Sequence, residues 1–165
     1  MVFFDTCIWI ELCCSTTPTK PAQKSQAKRA SDLLSDMKAK GETILTCKEQ
    51  LLEIISAILK VKLKEYQNEC KKNAIPNVGN LKQYRQRPDF TSAQLLCKQA
   101  IQDVCQMAKT VSIAPYEVGD ILDNIHLVDI NDFLYYQYCI KENIEFYSFD
   151  GDFNQLETSA NIHII

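Results

Sequence analysis

Five short β-like runs, VFF at 2–4, TILT at 43–46, TVSI at 110–113, IEFYSF at 144–149 and NIHII at 161–165, alternate with longer stretches of helical spacing. That order constrains the fold more than any other feature. Strands separated by helices pair most simply as βαβ units, which stack into a parallel sheet with helices on both faces. The spacing predicts one helix over Ala22–Lys40, with Ala30, Leu33, Leu34 and Met37 on its apolar face, and another over Glu49–Tyr66, using Leu52, Ile55, Leu59 and Leu63. NAIPNVGN reads as a loop, and RPDFTSAQLL starts a helix near Thr91 or Ser92. The fold class is therefore α/β, Rossmann-like, with the VFF strand in the middle of the sheet.

With 165 residues, 46% of them hydrophobic, the chain is expected to form a single domain over 1–165. LLEIISAILKV, broken by Glu53 and Lys60, falls short of the roughly 18 apolar residues of a membrane span. The amino terminus lacks a basic start and carries an acid at position 5, so no signal peptide is expected and the protein reads as cytoplasmic. Among the eight cysteines there is no C-x-x-C pair, and His126 and His163 are too isolated to complete a zinc site. Cys7, Cys13, Cys14, Cys47, Cys70, Cys97, Cys105 and Cys139 are expected to be reduced thiols, partly buried as small apolar residues.

The residues that carry chemistry are acids at element junctions. Asp5 ends the first strand, where open α/β sheets bind ligands; alternatively, Asp5 or Thr6 caps a helix beginning near Cys7. In VDINDFLYYQYCIKENIEFYSFDGDF, Asp129 and Asp132 resemble a capping box with Asp in place of Glu, which puts Asp132 in the first turn of a helix using Phe133, Leu134, Tyr138 and Ile140. The strand IEFYSF then delivers Asp150 as VFF delivers Asp5, although DGD alone also reads as a turn. Glu53 interrupts the apolar LLEIISAIL, a costly place for a carboxylate without partners, and Glu49 is its rival four residues earlier.

Taken together these positions resemble PIN domains. FFDTCIWIEL is similar to the family's opening, an apolar strand ending in Asp-Thr or Asp-Ser. The later stretch is similar to its closing half, an Asp at a helix start and, eighteen positions on, the Asp of a T-x-D-x-D-F-like motif, here SFDGDF. Glu53 matches the glutamate of the family's third helix. Ser148 stands where Thr is common, DFLYYQY puts aromatics where small residues are usual, and the stretch from Lys64 to Phe90 is longer than in the smallest members.

The resemblance implies a metal-dependent endoribonuclease, and VapC-type toxins with a cognate antitoxin belong to this family; it also makes a homodimer plausible. Clustered carboxylates repel one another and stay ionised chiefly around a cation. An all-oxygen donor set suits Mg²⁺ or Mn²⁺ rather than zinc, and such an ion polarises a phosphodiester and helps ionise water. Asp5, Glu53, Asp132 and Asp150 are accordingly assigned to metal binding and catalysis, Thr6 to a supporting hydroxyl, and Asp152 to orienting a water or closing the turn. Trp9 and Glu11 read as packing and surface. A haloacid-dehalogenase-type phosphatase would need a second Asp where Cys7 stands. The alternative is a catalytically weak PIN-like module that binds RNA or protein.

Overall charge is −3, yet Lys60 to Asp89 holds eight basic and three acidic residues. Lys60, Lys64, Lys72, Arg85 and Arg87 are the candidates from this flank for holding RNA phosphates beside the acids, with Tyr66, Tyr84 and Phe90 as base-stacking surfaces. A shared site further requires Asp5 and Asp150 to lie within about 13 Å, one domain radius.

Overall fold

In a computed structural model, which describes residues 1–13, 21–113, 118–156 and 161–165, the VFF run forms β1 (Val2–Phe4) and sits in the centre of the sheet. Helices α1 (Thr6–Cys13) and α2 (Pro21–Ala39) lead to β2 (Ile44–Cys47). The long α3 (Lys48–Lys72), the short α4 (Leu81–Tyr84) and α5 (Phe90–Met107) lead to β3 (Lys109–Val111). Then come α6 (Val118–Asn124), α7 (Ile130–Lys141), β4 (Glu145–Ser148), a 3₁₀ turn (Gly151–Gln155) and β5 (Ile162–Ile164). Strand order is β3-β2-β1-β4-β5, and all four pairings are parallel. The fold is thus a five-stranded, Rossmann-like α/β sheet. Its order reverses beside β1, the place where such sheets open a crevice at their carboxyl ends.

Strand alternation divides the core. Val2, Phe4 and Ile44 face one side, packed with Ile8 and Trp9 of α1, Ala30 and Met37 of α2, and residues of α3 and α5. Phe3, Leu45 and Phe146 face the other, against Ile121 of α6 and Phe133, Leu134 and Tyr135 of α7. Trp9 packs as expected, fully buried 5.5 Å from the Phe4 ring.

Helix ends follow local chemistry. After α2 the Gly41 N–H reaches the Lys38 carbonyl and the Glu42 N–H that of Met37, a closure that needs positive φ, which Gly41 supplies at 70°. Asn143 closes α7 in the same way at φ 52°.

Several expectations change. The predicted Glu49–Tyr66 helix runs on to Lys72, and its buried stripe is Gln50, Ile54, Ile58 and Leu59. Leu52 is 56% exposed, because Gln50 and Ile54 take the innermost positions, while the expected Ile55, Leu59 and Leu63 do pack against the core. Asp129 does precede α7, but its side chain caps no backbone N–H. Seven described cysteines are free thiols, with Cys47, Cys70, Cys97 and Cys139 buried; Cys14 lies outside the described residues. No helix among the described residues is long and apolar enough to cross a membrane.

Candidate acidic site at the carboxyl edge of the sheet

Parallel register brings the ends of β1 and β4 side by side: Phe4 pairs with Tyr147, and the Asp5 N–H donates to the Tyr147 carbonyl at 2.9 Å. The next residue on β4, Ser148, is fully buried, and its hydroxyl donates to Asp5 Oδ2 at 2.5 Å. The same Ser148 oxygen accepts the Asp150 N–H at 2.8 Å, so Asp150 begins two hydrogen bonds from the Asp5 carboxylate, well inside the expected limit. The Cys7 thiol donates to Asp5 Oδ2 at 3.1 Å and accepts the Phe149 N–H at 3.3 Å. Asp5 Oδ1 takes the Thr6 N–H at 2.6 Å. Its side chain therefore does not cap the second or third helical N–H; the Asp5 backbone carbonyl instead accepts the Ile8 N–H at 3.0 Å.

Glu53 enters from α3. Its Oε2 accepts the Thr6 hydroxyl at 2.9 Å and the Tyr135 hydroxyl at 2.8 Å. Glu49 is exposed in the first turn of α3. The start of α3 is itself anchored to the sheet: Gln50, fully buried, donates to the Phe4 carbonyl at 2.8 Å and accepts the Thr46 hydroxyl at 2.8 Å. Asp132 lies in the first turn of α7. Asp150 turns its carboxylate onto the Asp152 N–H at 2.9 Å, so it holds the 3₁₀ turn as well as the sheet edge. Exposed Asp152 accepts from Gln155 at 3.2 Å.

The electrostatics tie the acids together. Burial pushes the Asp132 carboxyl up to about 8, with Asp5, Glu53, Asp129 and Asp150 each adding repulsion. Burial also raises Asp5; the donors Ser148, Cys7 and Thr6 pull it back, and Glu53 raises it further. Burial, and then the Asp5 charge, hold the Cys7 proton well above the ordinary thiol range, so Cys7 is a neutral donor. Burial and then Glu53 do the same for Tyr135. Among the described residues no Lys, Arg or His forms an ion pair with any of the four acids. Nor do any three His, Cys, Asp or Glu there stand in the geometry of one bound ion.

The basic flank runs along α3 away from this edge. A helix rises about 1.5 Å per residue, which puts Lys60, Lys64 and Lys72 about 10, 16 and 28 Å along α3 from Glu53. Tyr84 stacks on Tyr66 at 5.0 Å, about 20 Å along the same axis, so Arg85 and Arg87 belong to the far end too. Tyr84 is buried between Tyr66 and Phe90, 5.5 Å from the latter, so these rings form core rather than a free stacking surface.

Sequence reasoning passed over Ser148, Cys7, Gln50 and Tyr135 as site residues. Tyr135 had one signal: it lies three residues after Asp132, on the same face of α7. No protein-family model matches the chain, and no curated protein or solved structure does. What fold and site define together is a Rossmann-like α/β protein whose acids at the switch point of its sheet form no ion pair among the described residues.

Proposed function

We propose that this chain is a PIN-like, metal-dependent endoribonuclease that hydrolyses RNA phosphodiester bonds, of the kind found as toxins with a cognate antitoxin in the cytoplasm. The observation that carries the reading is half-buried Asp132 opposed by the charges of Asp5, Glu53 and Asp150, with Asp5 tied to Asp150 through Ser148 and to Glu53 through Thr6, and with no cationic partner among the described residues. Such an excess of negative charge in a half-buried place fits a hard divalent cation, and the carboxylate donors fit Mg²⁺ or Mn²⁺. When bound, that ion would polarise the phosphodiester and favour ionisation of a water for in-line attack. The chain's own residues hold and aim. Ser148 and the Thr6 N–H occupy Asp5, one on each oxygen, while Thr6 and Tyr135 both donate to Glu53 Oε2.

The test is RNA cleavage by wild type and Asp5→Asn, with thermal melting in parallel. Asp5→Asn keeps an oxygen for the Thr6 N–H and removes one negative ligand, but its amide N–H₂ meets the Ser148 and Cys7 donors, so cleavage is compared per folded protein, with the melts giving the folded fraction. Cleavage should fall about 100-fold or more, since each 1.4 kcal/mol of lost transition-state stabilisation is a decade. EDTA should abolish cleavage, and Mn²⁺ or Mg²⁺ should restore it. Equal cleavage by the variant, or undiminished cleavage in EDTA, refutes the reading.

One observation favours a second reading, a PIN-like module that binds RNA or a protein without cutting: no three candidate ligands stand in one ion's geometry among the described residues. Mn²⁺ titration by calorimetry separates the two, because the module predicts no binding dependent on Asp5.

A further inference from the structure

Acids alone repel a polyanion, so an RNA-cutting edge needs a cation at its rim, and the expected basic flank runs away from it. One cation does reach the rim. Arg29 is exposed on α2, and its guanidinium carbon lies over the Phe149 ring, 5.1 Å from the centroid. Phe149 is the residue between Ser148, which holds Asp5, and Asp150. Its ring is half-buried against the first core cluster, and its N–H is fixed on Cys7 Sγ at 3.3 Å, so the platform under Arg29 is tied to the acidic edge.

Arg29 has no hydrogen bond or ion pair among the described residues, whereas the adjacent Lys28 is taken by Asp32 at 2.6 Å. A guanidinium lying on an aromatic face keeps its in-plane N–H groups directed outward, and that planar fork matches a phosphate oxygen pair. Stacking also limits its freedom, so less rotamer entropy is lost when an anion binds. We propose that Arg29, seated on Phe149, is a phosphate-binding residue that anchors single-stranded RNA beside the acidic edge. The proposal rests on the ribonuclease reading for the identity of its anion, and it places RNA entry beside α2 rather than along α3.

The experiment measures binding of a labelled single-stranded RNA of mixed sequence to the full chain over a series of salt concentrations, together with cleavage kinetics in Mn²⁺. Arg29→Gln should weaken binding about 10-fold and lower the slope of log affinity on log salt by about 0.7, the value for one phosphate contact on a single strand. It should raise KM more than it lowers kcat, and it should leave Mn²⁺ affinity and melting unchanged. Arg29→Lys should retain the salt slope, because the charge stays, and recover part of the affinity. Lys98→Gln, at an exposed lysine on α5, should change neither affinity nor slope to that extent. If wild type binds and cleaves RNA while Arg29→Gln matches it in affinity and slope, the proposal is overturned and the ribonuclease reading stands. If wild type neither binds nor cleaves RNA, both fall. A loss confined to an acidic protein partner, with RNA binding intact, also overturns it.

Discussion

Raising the pH of the metal-free protein from about 5 to about 8 should destabilise it, and Asp132 should be the main cause. In the folded chain Asp132 keeps its proton up to about 8, because burial and the charges of Asp5, Glu53, Asp129 and Asp150 oppose ionisation. In the unfolded chain it releases that proton near its ordinary value of 3.8. Between those limits the folded state binds more protons, so its stability is highest at the acid end and falls as pH rises through the window. One full proton of difference gives a slope of about 1.4 kcal/mol per pH unit. Asp132 is only half-buried, and water screens part of the repulsion, which narrows the pH window rather than flattening the slope within it, so about half of the full-window loss is expected. Asp5, raised in the same direction, adds to it. Urea melts in EDTA at several pH values measure the slope, and Asp132→Asn should flatten it by the Asp132 share. Mn²⁺ at 100 times its dissociation constant should return about 2.7 kcal/mol, with more needed to reach saturation at low pH, where the proton competes. Metal-free stability that is flat or rising over this window, or an Asp132→Asn slope parallel to wild type, refutes the argument.

Two further substitutions probe what surrounds the acids. Tyr135→Phe keeps the ring against Phe3, 5.5 Å away, and removes one of the two donors on Glu53 Oε2; melting should hold while Mn²⁺ affinity, read by calorimetry, falls about 10-fold. Gln50→Leu leaves the Phe4 carbonyl and the Thr46 hydroxyl without their buried partner and should cost about 1–3 kcal/mol in urea melts, and because this anchor helps orient Glu53, the Mn²⁺ affinity of the folded protein should fall as well.

The sheet was legible because its strands announce themselves: VFF and IEFYSF are apolar runs, and each delivers an aspartate where the backbone leaves the sheet. The helix face of α3 was less so. Leucine at 52 looked inward, but fully buried Gln50 shows that the inward row is set by a polar anchor to β1, which a hydrophobic pattern cannot reveal. The flank from Lys60 to Arg87 shows another limit of reading by sequence. Nearness to Glu53 in sequence became distance in space because α3 continues unbroken to Lys72. Ser148 and Tyr135 reach Asp5 and Glu53 across 143 and 82 residues, and contacts of that separation leave no local periodicity to read. Arg29 was hidden likewise, one basic residue among several on a solvated helix until Phe149 is seen beneath it.

The aromatics of α7 gain a chemical role from the same geometry. DFLYYQY is rich in aromatics, and such bulk at a sheet edge would ordinarily crowd a site. Here Phe133, Leu134 and Tyr135 are buried in the second core cluster, where the Tyr135 ring meets Phe3 and Phe3 in turn stacks on Phe146 at 6.1 Å. That packing points one polar atom, the Tyr135 hydroxyl, at the carboxyl edge, and a buried hydroxyl needs an acceptor. Glu53, arriving from the opposite face of the sheet, supplies it at 2.8 Å. The orientation of the glutamate is therefore set jointly by α3, through the anchor at Gln50, and by the α7 core, through Tyr135. A change in either layer reaches the acids without touching them, which makes the packing of α7 part of the site's chemistry.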